Sequence, residues 1–260
     1  MLLTVDIGNT NIKLGVFSGE ILQTTFSMTT FQTRTSDEYG MVMCELLEHN
    51  EVAVGEITDV IVASVVPNVM HAITNAILKY FHTQPVIIAA GTKTGIRVAG
   101  GNPRQVGADR VVDAAAVYAL YGGPAIVIDY GTATTFDLID EDGTFTACVI
   151  APGIRTSAQS MWNMAANLPE FEIKKPETIL AQDTISCMQA GLVYGQIGQT
   201  EHIVKEMKEA FGRDDVKVVA TGGLGRVIEK ETDIIDVYDP ELTLHGMRVI
   251  FERQKKSKEN

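Results

Sequence analysis

A polar turn that directly follows a buried strand occurs twice in this 260-residue chain. Residues 5–17, VDIGNTNIKLGVF, and residues 128–140, IDYGTATTFDLID, share one pattern. Each has an apolar run, an aspartate, one further residue, a glycine, a cluster of small polar residues and a second strand-like run. The two segments lie about half the chain apart. This weak repeat predicts two related halves, with both Asp-x-Gly turns on the walls of one cleft between them.

The chemistry of these turns suits a nucleotide. Glycine leaves room for a ligand to approach backbone N–H groups. In the first copy Thr10 and Asn11 add neutral donors, Lys13 adds a positive charge, and Asp6 can hold a cation or its water, as phosphates and their metal require. Ordinary hairpin residues would explain one copy alone. Two copies, with TGGLG at 221–225 able to lie under an adenine or ribose, favour the nucleotide, although no Walker phosphate loop is present.

A second signal is GADR, residues 107–110, at the start of an alanine-rich helix. On a structural interpretation, Asp109 complements the helix dipole and Arg110 is a surface charge. On a functional interpretation, Asp109 accepts a proton from a substrate hydroxyl. Arg110 and the helix N-terminus then bind an anionic substrate group. Both interpretations fit the residues alone.

A long helix is predicted over 184–211, with glycines at 191, 195 and 198. A glycine costs about 1 kcal/mol against alanine in a helix interior, so a packing reason is expected. We predict a close helix–helix approach, within the core or across a dimer axis. Thr184 is predicted to cap this helix, with a substrate contact as the alternative.

The net charge of −12 and pI of 4.8 argue against a nucleic-acid partner. No apolar run approaches the length of a membrane span, so we expect a soluble, cytoplasmic protein without a membrane partner. Three widely spaced cysteines, Cys44, Cys148 and Cys187, suit a reducing compartment, and each is predicted to be a small buried hydrophobe. The basic C-terminal residues 253–260 are predicted to form a frayed tail.

Apolar periodicity predicts an order of strands and helices typical of an α/β fold. The predicted strands are 1–5, 12–17, 21–27, 59–67, 85–89, 125–130, 134–140, 144–150 and 216–220. The predicted helices are 35–49, starting at a Thr35/Glu38 capping box, 68–82, 109–121, 184–211 and 241–253, the last capped by Asp239-Pro240.

At these residues the sequence resembles the type III pantothenate kinases, a family of the acetate/sugar kinase and actin-like ATPase superfamily. The resemblance extends over nearly the whole chain. Its motifs are DIGNTNIK, NPRQVGADR, DYGTATTFD, APGI followed by AANLP, TISCMQAGLVYG, ATGGLG and DPELTLHGM. Several motifs in the family's order make it specific.

The resemblance implies an α/β fold of two ribonuclease-H-like (actin-like ATPase) halves, with mixed sheets flanked by helices and the nucleotide in the cleft between them. The halves are predicted as 1–115 and 116–260. The implied enzyme is a homodimeric phosphotransferase that uses ATP to phosphorylate pantothenate to 4′-phosphopantothenate, the first step of coenzyme A biosynthesis. Its implied cofactors are Mg²⁺ with ATP and a monovalent cation, K⁺ or NH₄⁺.

The resemblance also implies roles for individual residues. The implied ATP-binding residues are Asp6, Ile7, Gly8, Asn9, Thr10, Asn11, Ile12, Lys13 and Thr132. The implied pantothenate-binding residues are Gly107, Ala108, Asp109, Arg110 and Thr184. Within these sets Asp109 is the implied general base and Arg110 faces the pantothenate carboxylate. Asp129 helps to hold the monovalent cation.

Two positions depart from the family pattern. Many relatives carry a substrate-side tyrosine where Gly100 aligns, and many have a glycine pair where this chain has Ala147 and Cys148. The first departure bears on pantothenate binding, and the second on the position of a strand beside the site. Neither removes a residue implied in phosphate binding or proton transfer.

Two alternative functions stay open. Gly100 is compatible with a kinase of the same superfamily that acts on another small hydroxy acid. The other alternative is a weakly active ATP-binding regulatory paralogue, against which the intact Asp6, Asp109, Arg110 and Asp129 count.

Overall fold

A computed structural model describes residues 1–99 and 106–259, so the prediction for Gly100 lies outside the described residues. The described residues fall into two compact units. The first contains residues 1–96, 106–120 and 242–259, and the second contains Arg97–Ala99 and Tyr121–Glu241. The C-terminal helix belongs to the first unit because it packs on that unit's sheet and helices. The predicted halves 1–115 and 116–260 remain a prediction about domains.

The first unit contains a five-stranded mixed sheet with the order β3-β2-β1-β4-β5. β1 and β2 form an antiparallel hairpin, β3 extends it, and β1, β4 and β5 are parallel. The strands are β1 (Leu2–Ile7), β2 (Asn11–Ser18), β3 (Ile21–Thr29), β4 (Asp59–Ser64) and β5 (Val86–Ile87), and the helices are α1 (Ser36–His49), α2 (Pro67–Phe81), α3 (Ala108–Leu120) and α7 (Leu242–Glu259).

Side-chain alternation along β1 buries both faces of this sheet. Leu3, Val5 and Ile7 belong to an apolar cluster with residues of α1 and α2. Leu2 belongs to a second cluster with residues of α3 and α7. A Cβ at Gly246 would lie 2.4 Å from the carbonyl oxygen of Val112, so glycine permits the close crossing of α3 and α7. The first unit is therefore a sheet between two helix pairs.

The second unit contains a six-stranded mixed sheet with the order β11-β10-β7-β8-β9-β6. One apolar cluster packs residues of β7, β8 and β10 against α4 and α5. The strands are β6 (Arg97–Val98), β7 (Ala125–Tyr130), β8 (Ala133–Ile139), β9 (Thr144–Pro152), β10 (Lys217–Thr221) and β11 (Val237–Tyr238), and the helices are α4 (Ile154–Met164), α5 (Thr184–Phe211) and α6 (Gly225–Glu229).

The two sheets share one topology, as the repeat predicts. In both, an antiparallel three-strand meander is followed by two parallel strands, in the order β3-β2-β1-β4-β5 in the first unit and β9-β8-β7-β10-β11 in the second. Each Asp-x-Gly turn joins the first two strands of its meander. The predicted α/β class with mixed sheets flanked by helices is confirmed.

Several local predictions need correction. α7 continues to Glu259, so the predicted frayed tail is wrong: no Gly or Pro follows Gly246, and Arg, Gln, Lys and Glu favour helix. Cys148 and Cys187 are exposed because they lie on outward faces of β9 and α5, and Cys44 is half-buried. β5 is only two residues long, and α4 was not predicted. Cys148 and Ala147 pair with Asp137 and Leu138 of β8, and the ladder shifts register directly after this pair, between Leu138 and Ile139.

Within residues 1–99 and 106–259, none of the helices combines the length and the apolar character that a membrane span requires.

Candidate active site

The first polar edge, residues 6–11, 64–65 and 107–110, lies at the carboxyl ends of β1 and β4. These strands are parallel, so both end at the same side of the sheet. The Val65 N–H donates to the Ile7 carbonyl at 3.1 Å and joins the two strand ends. The turn after β1 and the loop after β4 are therefore neighbours.

The turn after β1 is held from two sides. The Gly8 N–H donates to the Asn11 carbonyl at 3.0 Å. Thr30 donates its hydroxyl to the Gly8 carbonyl at 2.7 Å and its N–H to the Thr10 carbonyl at 2.9 Å. The carbonyl groups of the turn thus accept hydrogen bonds from the protein itself. The side chains of residues 9–11 are exposed. The turn thus presents polar groups to solvent from a fixed backbone.

Asp6 and Lys13 are cross-strand partners in the β1–β2 ladder, and both are half-buried. Opposed residues of an antiparallel pair lie on the same face of the sheet. Asp6 lies on the same face of β1 as Leu2, because side chains alternate along a strand. Leu2 belongs to the cluster with α3 and α7. A carboxylate and an ammonium group therefore lie on the face that α3 covers.

The start of α3 reaches the same edge through Gly107. A Cβ at Gly107 would lie 2.4 Å from Asp109 Oδ1 and 3.5 Å from a methyl carbon of Val65. Asp109 Oδ1 also accepts the Arg110 N–H at 2.8 Å. The absence of a side chain at Gly107 therefore leaves room for the Asp109 carboxylate near Val65, in the loop after β4. Asp109 and Arg110 are both half-buried.

The second polar edge lies at the carboxyl ends of β7 and β10 in the second unit. It comprises residues 129–132, 153 and 221–225. Asp129 is opposite Thr221 in a parallel ladder. A Cβ at Gly222, whose φ is +94°, would lie 2.6 Å from Asp129 Oδ1, and one at Gly131 would lie 3.0 Å from Oδ2. The Asp129 carboxylate is therefore flanked by two glycines.

The Thr132 turn resembles the first turn and adds two contacts. The Gly131 N–H donates to the Ala133 carbonyl at 3.1 Å, whereas the Gly8 N–H donates one residue further along, to Asn11. The Thr132 carbonyl accepts the Gly153 N–H at 3.2 Å and the Thr156 hydroxyl at 2.6 Å. A Cβ at Gly153 would lie 2.4 Å from that carbonyl oxygen. The sequence signal for Gly153 was the APGI motif, but its contact with Thr132 was not foreseen.

Two tyrosines fix the glycine-rich TGGLG segment. The Tyr238 hydroxyl donates to the Gly222 carbonyl at 2.8 Å. The Tyr130 hydroxyl is 2.8 Å from Thr200 Oγ1 on α5, and burial raises the pKa of Tyr130 to about 12. A Cβ at Gly225 would lie within 2.8 Å of both rings. The segment is held by aromatic packing beside Asp129.

Thr184 is the first residue of α5, and its predicted capping role is wrong. Asp183 is the cap, because its carboxylate accepts the Ser186 N–H at 3.0 Å. That bond lowers the pKa of Asp183 below its ordinary value. Thr184 is exposed and faces a pocket of about 480 Å³, which leaves its hydroxyl available to a ligand.

This pocket, called here the α5 pocket, is mainly apolar. Asp129 and Thr132 are not among its lining residues. Its lining comprises Met161, Leu168, Gln182, Asp183, Thr184, Cys187, Met188 and Gly191. A T-shaped contact of Trp162 with Phe171 and a 2.8 Å hydrogen bond from Gln189 Nε2 to the Glu172 carbonyl hold the nearby loop 165–183. The pattern of polar and apolar residues did not predict that loop 165–183 contributes to this pocket.

The described part of the chain contains no group of three or more His, Cys, Asp or Glu side chains that could hold a metal ion. A monovalent cation needs a different donor set, a few oxygen atoms from carboxylates and carbonyls. Asp129 offers one carboxylate toward such a set, and Gly131 and Gly222 place no Cβ against its oxygens.

The two units share a strand order over five strands, a meander followed by two parallel strands, and each has an Asp-x-Gly turn at a polar edge, as in ribonuclease-H-like folds. The type III pantothenate kinase family model matches residues 2–206. This chain belongs to the type III pantothenate kinase family.

Similar proteins agree with this assignment. A type III pantothenate kinase of Agathobacter rectalis is 57% identical over 98% of this chain and 98% of its own length. One of Bacillus cytotoxicus is 46% identical over 97% of this chain and 96% of its own.

A solved structure shares the fold at low identity. The ethanolamine utilization protein EutJ from Carboxydothermus hydrogenoformans is 17% identical, has a TM-score of 0.58 and covers 95% of this chain and 89% of its own.

Proposed function

We propose that this chain transfers the γ-phosphoryl group of ATP to the primary hydroxyl of pantothenate. The products are 4′-phosphopantothenate and ADP, in the first step of coenzyme A biosynthesis. Membership of the family supports the substrate pair. The observation that carries the residue roles is the position of Gly107, which lies close both to the Asp109 carboxylate and to Val65, the residue that hydrogen-bonds Ile7 before the turn after β1.

The turn after β1 is the proposed phosphate site. Its exposed side chains at 9–11 offer neutral donors, and Lys13 supplies positive charge. Asp6 is the proposed carboxylate for the Mg²⁺ that accompanies ATP, bound directly or through water. Thr132, whose backbone is fixed by Gly153 and Thr156, is a second proposed nucleotide contact.

Asp109 is the proposed general base. As the pantothenate hydroxyl oxygen forms its bond to the γ-phosphorus, the bond from that phosphorus to the ADP oxygen breaks, and ADP leaves with the electron pair. The hydroxyl proton moves to the Asp109 carboxylate. Positioning and charge stabilisation supply most of the catalysis in such transfers, which makes the Gly107 contact important.

Substrate recognition is assigned to three further groups. Arg110 and the N–H groups at the start of α3 are proposed to bind the pantothenate carboxylate. Thr184 is proposed to hydrogen-bond the substrate from the mainly apolar α5 pocket. Asp129 is proposed to hold K⁺ or NH₄⁺, which would offset phosphate charge that Mg²⁺ leaves uncompensated.

We also propose that the protein is a homodimer and that it is located in the cytoplasm. Gly191, Gly195 and Gly198 lie on the exposed face of α5, and a Cβ at any of them would meet nothing within 4 Å among the described residues. The predicted close approach within the core is therefore wrong for these glycines. The alternative, an approach across a dimer axis, remains a prediction.

The test is a product assay. Purified protein is incubated with ATP, Mg²⁺, K⁺ and pantothenate, and phosphopantothenate is sought by mass. A panel of other small hydroxy acids in the same assay tests the alternative kinase function. Formation of phosphopantothenate at a higher kcat/KM than any other product supports the proposal, and faster phosphorylation of another acid contradicts it.

A further inference from the structure

A basic pocket of about 640 Å³ lies in the first unit, where the loop after β5 meets the last turns of α7. It shares no lining residue with the first polar edge. The basic pocket is lined by Lys93, Gly95, Arg253, Lys256 and Ser257. Its size falls within the range of small-molecule sites, roughly 300–1,000 Å³.

Two hydrogen bonds join the loop to the helix. Gln254 Nε2 donates to the Lys93 carbonyl at 3.0 Å, and Lys93 Nζ donates to Ser257 Oγ at 2.7 Å. Because the Ser257 oxygen accepts from Lys93, its own hydrogen can point to a ligand. The pocket thus has a fixed rim with hydroxyl and ammonium donors.

Gly95 shapes the opposite wall. Its φ is +91°, and a Cβ there would lie 2.5 Å from Cζ and 2.6 Å from Nε of Arg253. The guanidinium group therefore lies against the Gly95 backbone, where any larger side chain would displace it. Arg253 is exposed and lines the pocket.

The local charge is opposite to that of the whole protein. Lys93, Arg253 and Lys256 bring three positive charges together in a chain with a net charge of −12. The same helix end carries Glu252, which accepts a hydrogen bond from Arg248, and Glu259, and its dipole adds about half a negative charge. Cations at a helix end are often solvated and bind nothing specific. Here, however, Lys93 comes from a loop 164 residues before its partner Ser257, and the same loop supplies Gly95.

We propose that the basic pocket binds a small soluble anion with two adjacent phosphate groups. An arginine fork matches one phosphate group with two parallel hydrogen bonds, and lysines and a hydroxyl suit a second group as point donors. The pocket volume accommodates such a ligand with an organic substituent.

Isothermal titration of the full chain with inorganic pyrophosphate, in magnesium-free buffer, tests this. The parent protein should bind pyrophosphate saturably, and raising the salt concentration should weaken binding. Arg253→Gln should weaken it about tenfold, because a charge-assisted hydrogen bond to a phosphate is lost. Lys255→Gln is the matched control, since Lys255 is exposed on the same helix but does not line the pocket.

Gly95→Ala provides a second, independent variant, because its Cβ would displace the guanidinium group. Circular dichroism verifies that each variant is folded. Pyrophosphate binding that is at least threefold weaker in Arg253→Gln and unchanged in Lys255→Gln supports the site. Absence of saturable binding, or equal affinity in Arg253→Gln and the parent, overturns it. The comparison of Arg253→Gln with Lys255→Gln separates this site from the proposed phosphate site after β1, which both variants leave unchanged.

Discussion

At the scale of single residues, Gly107 determines where the Asp109 carboxylate can lie. A Cβ at 107 would be 2.4 Å from Asp109 Oδ1, so Gly107→Ala must turn the carboxylate away. We expect kcat to fall by about 10- to 10²-fold, the effect of a displacement near 1 Å in a reacting group. Stability should change little, because only a side-chain end has to move. Steady-state kinetics and thermal melting check both parts.

Gly55→Ala is the control for this substitution. Gly55 lies in a short 3₁₀ helix of the same unit, and a Cβ there would meet nothing within 4 Å among the described residues. Its kcat should match that of the parent. If Gly107→Ala keeps the parent's kcat, the position of Asp109 does not matter for turnover.

Asp129 carries a prediction of cation dependence. Its carboxylate lies between Gly131 and Gly222 and is the proposed ligand of the monovalent cation. Turnover should be low in sodium or Tris buffer and rise on addition of potassium or ammonium, and Asp129→Asn should reduce this response. Initial rates in each salt at constant ionic strength measure it. Equal rates in all salts would remove Asp129 from cation binding.

At the scale of elements, the Tyr130–Thr200 hydrogen bond joins β7 to α5 inside the core. The raised pKa of Tyr130, about 12, means that the folded form keeps its proton while the unfolded form loses it above about pH 10. The unfolded state then binds fewer protons, so the free energy of unfolding falls as pH rises from about 10 to 12. Burial also raises the pKa of Tyr121 to about 12, with the Asp239 carboxylate adding to the shift.

Tyr130→Phe should therefore make the alkaline fall in stability shallower without removing it, because Tyr121 still contributes. At neutral pH the variant should lose about 1–3 kcal/mol, since the Thr200 hydroxyl stays buried without this partner. Urea denaturation between pH 7 and 12 measures both effects. Parallel pH profiles for parent and variant would show that Tyr130 titrates normally.

Elements with strong local signals were predicted well from the sequence. The Thr35/Glu38 capping box is present, and α5 has the predicted bounds. The sequence was a weaker guide where tertiary contacts determine the local structure. Asp183 takes the cap that was assigned to Thr184, and α7 continues through residues that looked like a tail. Loop 165–183 forms a wall of the α5 pocket through contacts of Trp162 and Gln189, which no local pattern shows.

At the scale of the whole molecule, the internal repeat predicted two related halves, and the two sheets share one strand order over five strands. It could also indicate that both Asp-x-Gly turns lie at carboxyl ends of strands, because that position follows from the strand–turn–strand pattern. The return of α7 to the first unit depends on its packing with α3 around Gly246, a contact between distant parts of the chain. The contact of Gly107 with Val65 could not be predicted either, because these residues are also distant along the chain.

The exposed glycine face of α5 leads to a prediction about assembly. We expect a dimer in which this face packs closely, and Gly195→Leu should weaken it by overpacking. If the face were free, replacing an exposed helical glycine would instead stabilise the protein by up to about 1 kcal/mol. Light scattering and thermal melting distinguish the two outcomes.

Glu45→Leu is the control, because Glu45 is exposed on α1. It adds the same side chain elsewhere and should leave the oligomeric state unchanged. A monomeric parent protein at micromolar concentration would contradict the dimer.

The central claim is that Asp109 accepts the proton of the substrate hydroxyl. Asp109→Asn keeps the shape of the side chain but cannot accept that proton, so kcat with pantothenate should fall by about 10²–10⁴-fold. Affinity for ATP should change little, because the proposed nucleotide contacts lie at 6–13 and 132. Folding should persist, since loss of a charge at a helix start costs only about 0.3–1 kcal/mol.

The deciding measurement is kcat of Asp109→Asn, with ATP affinity and melting temperature taken on the same sample. The account predicts a large fall in kcat at nearly constant ATP affinity and stability. A kcat within about threefold of the parent, with a slightly lower melting temperature, would contradict it and leave Asp109 as a residue that only complements the helix dipole.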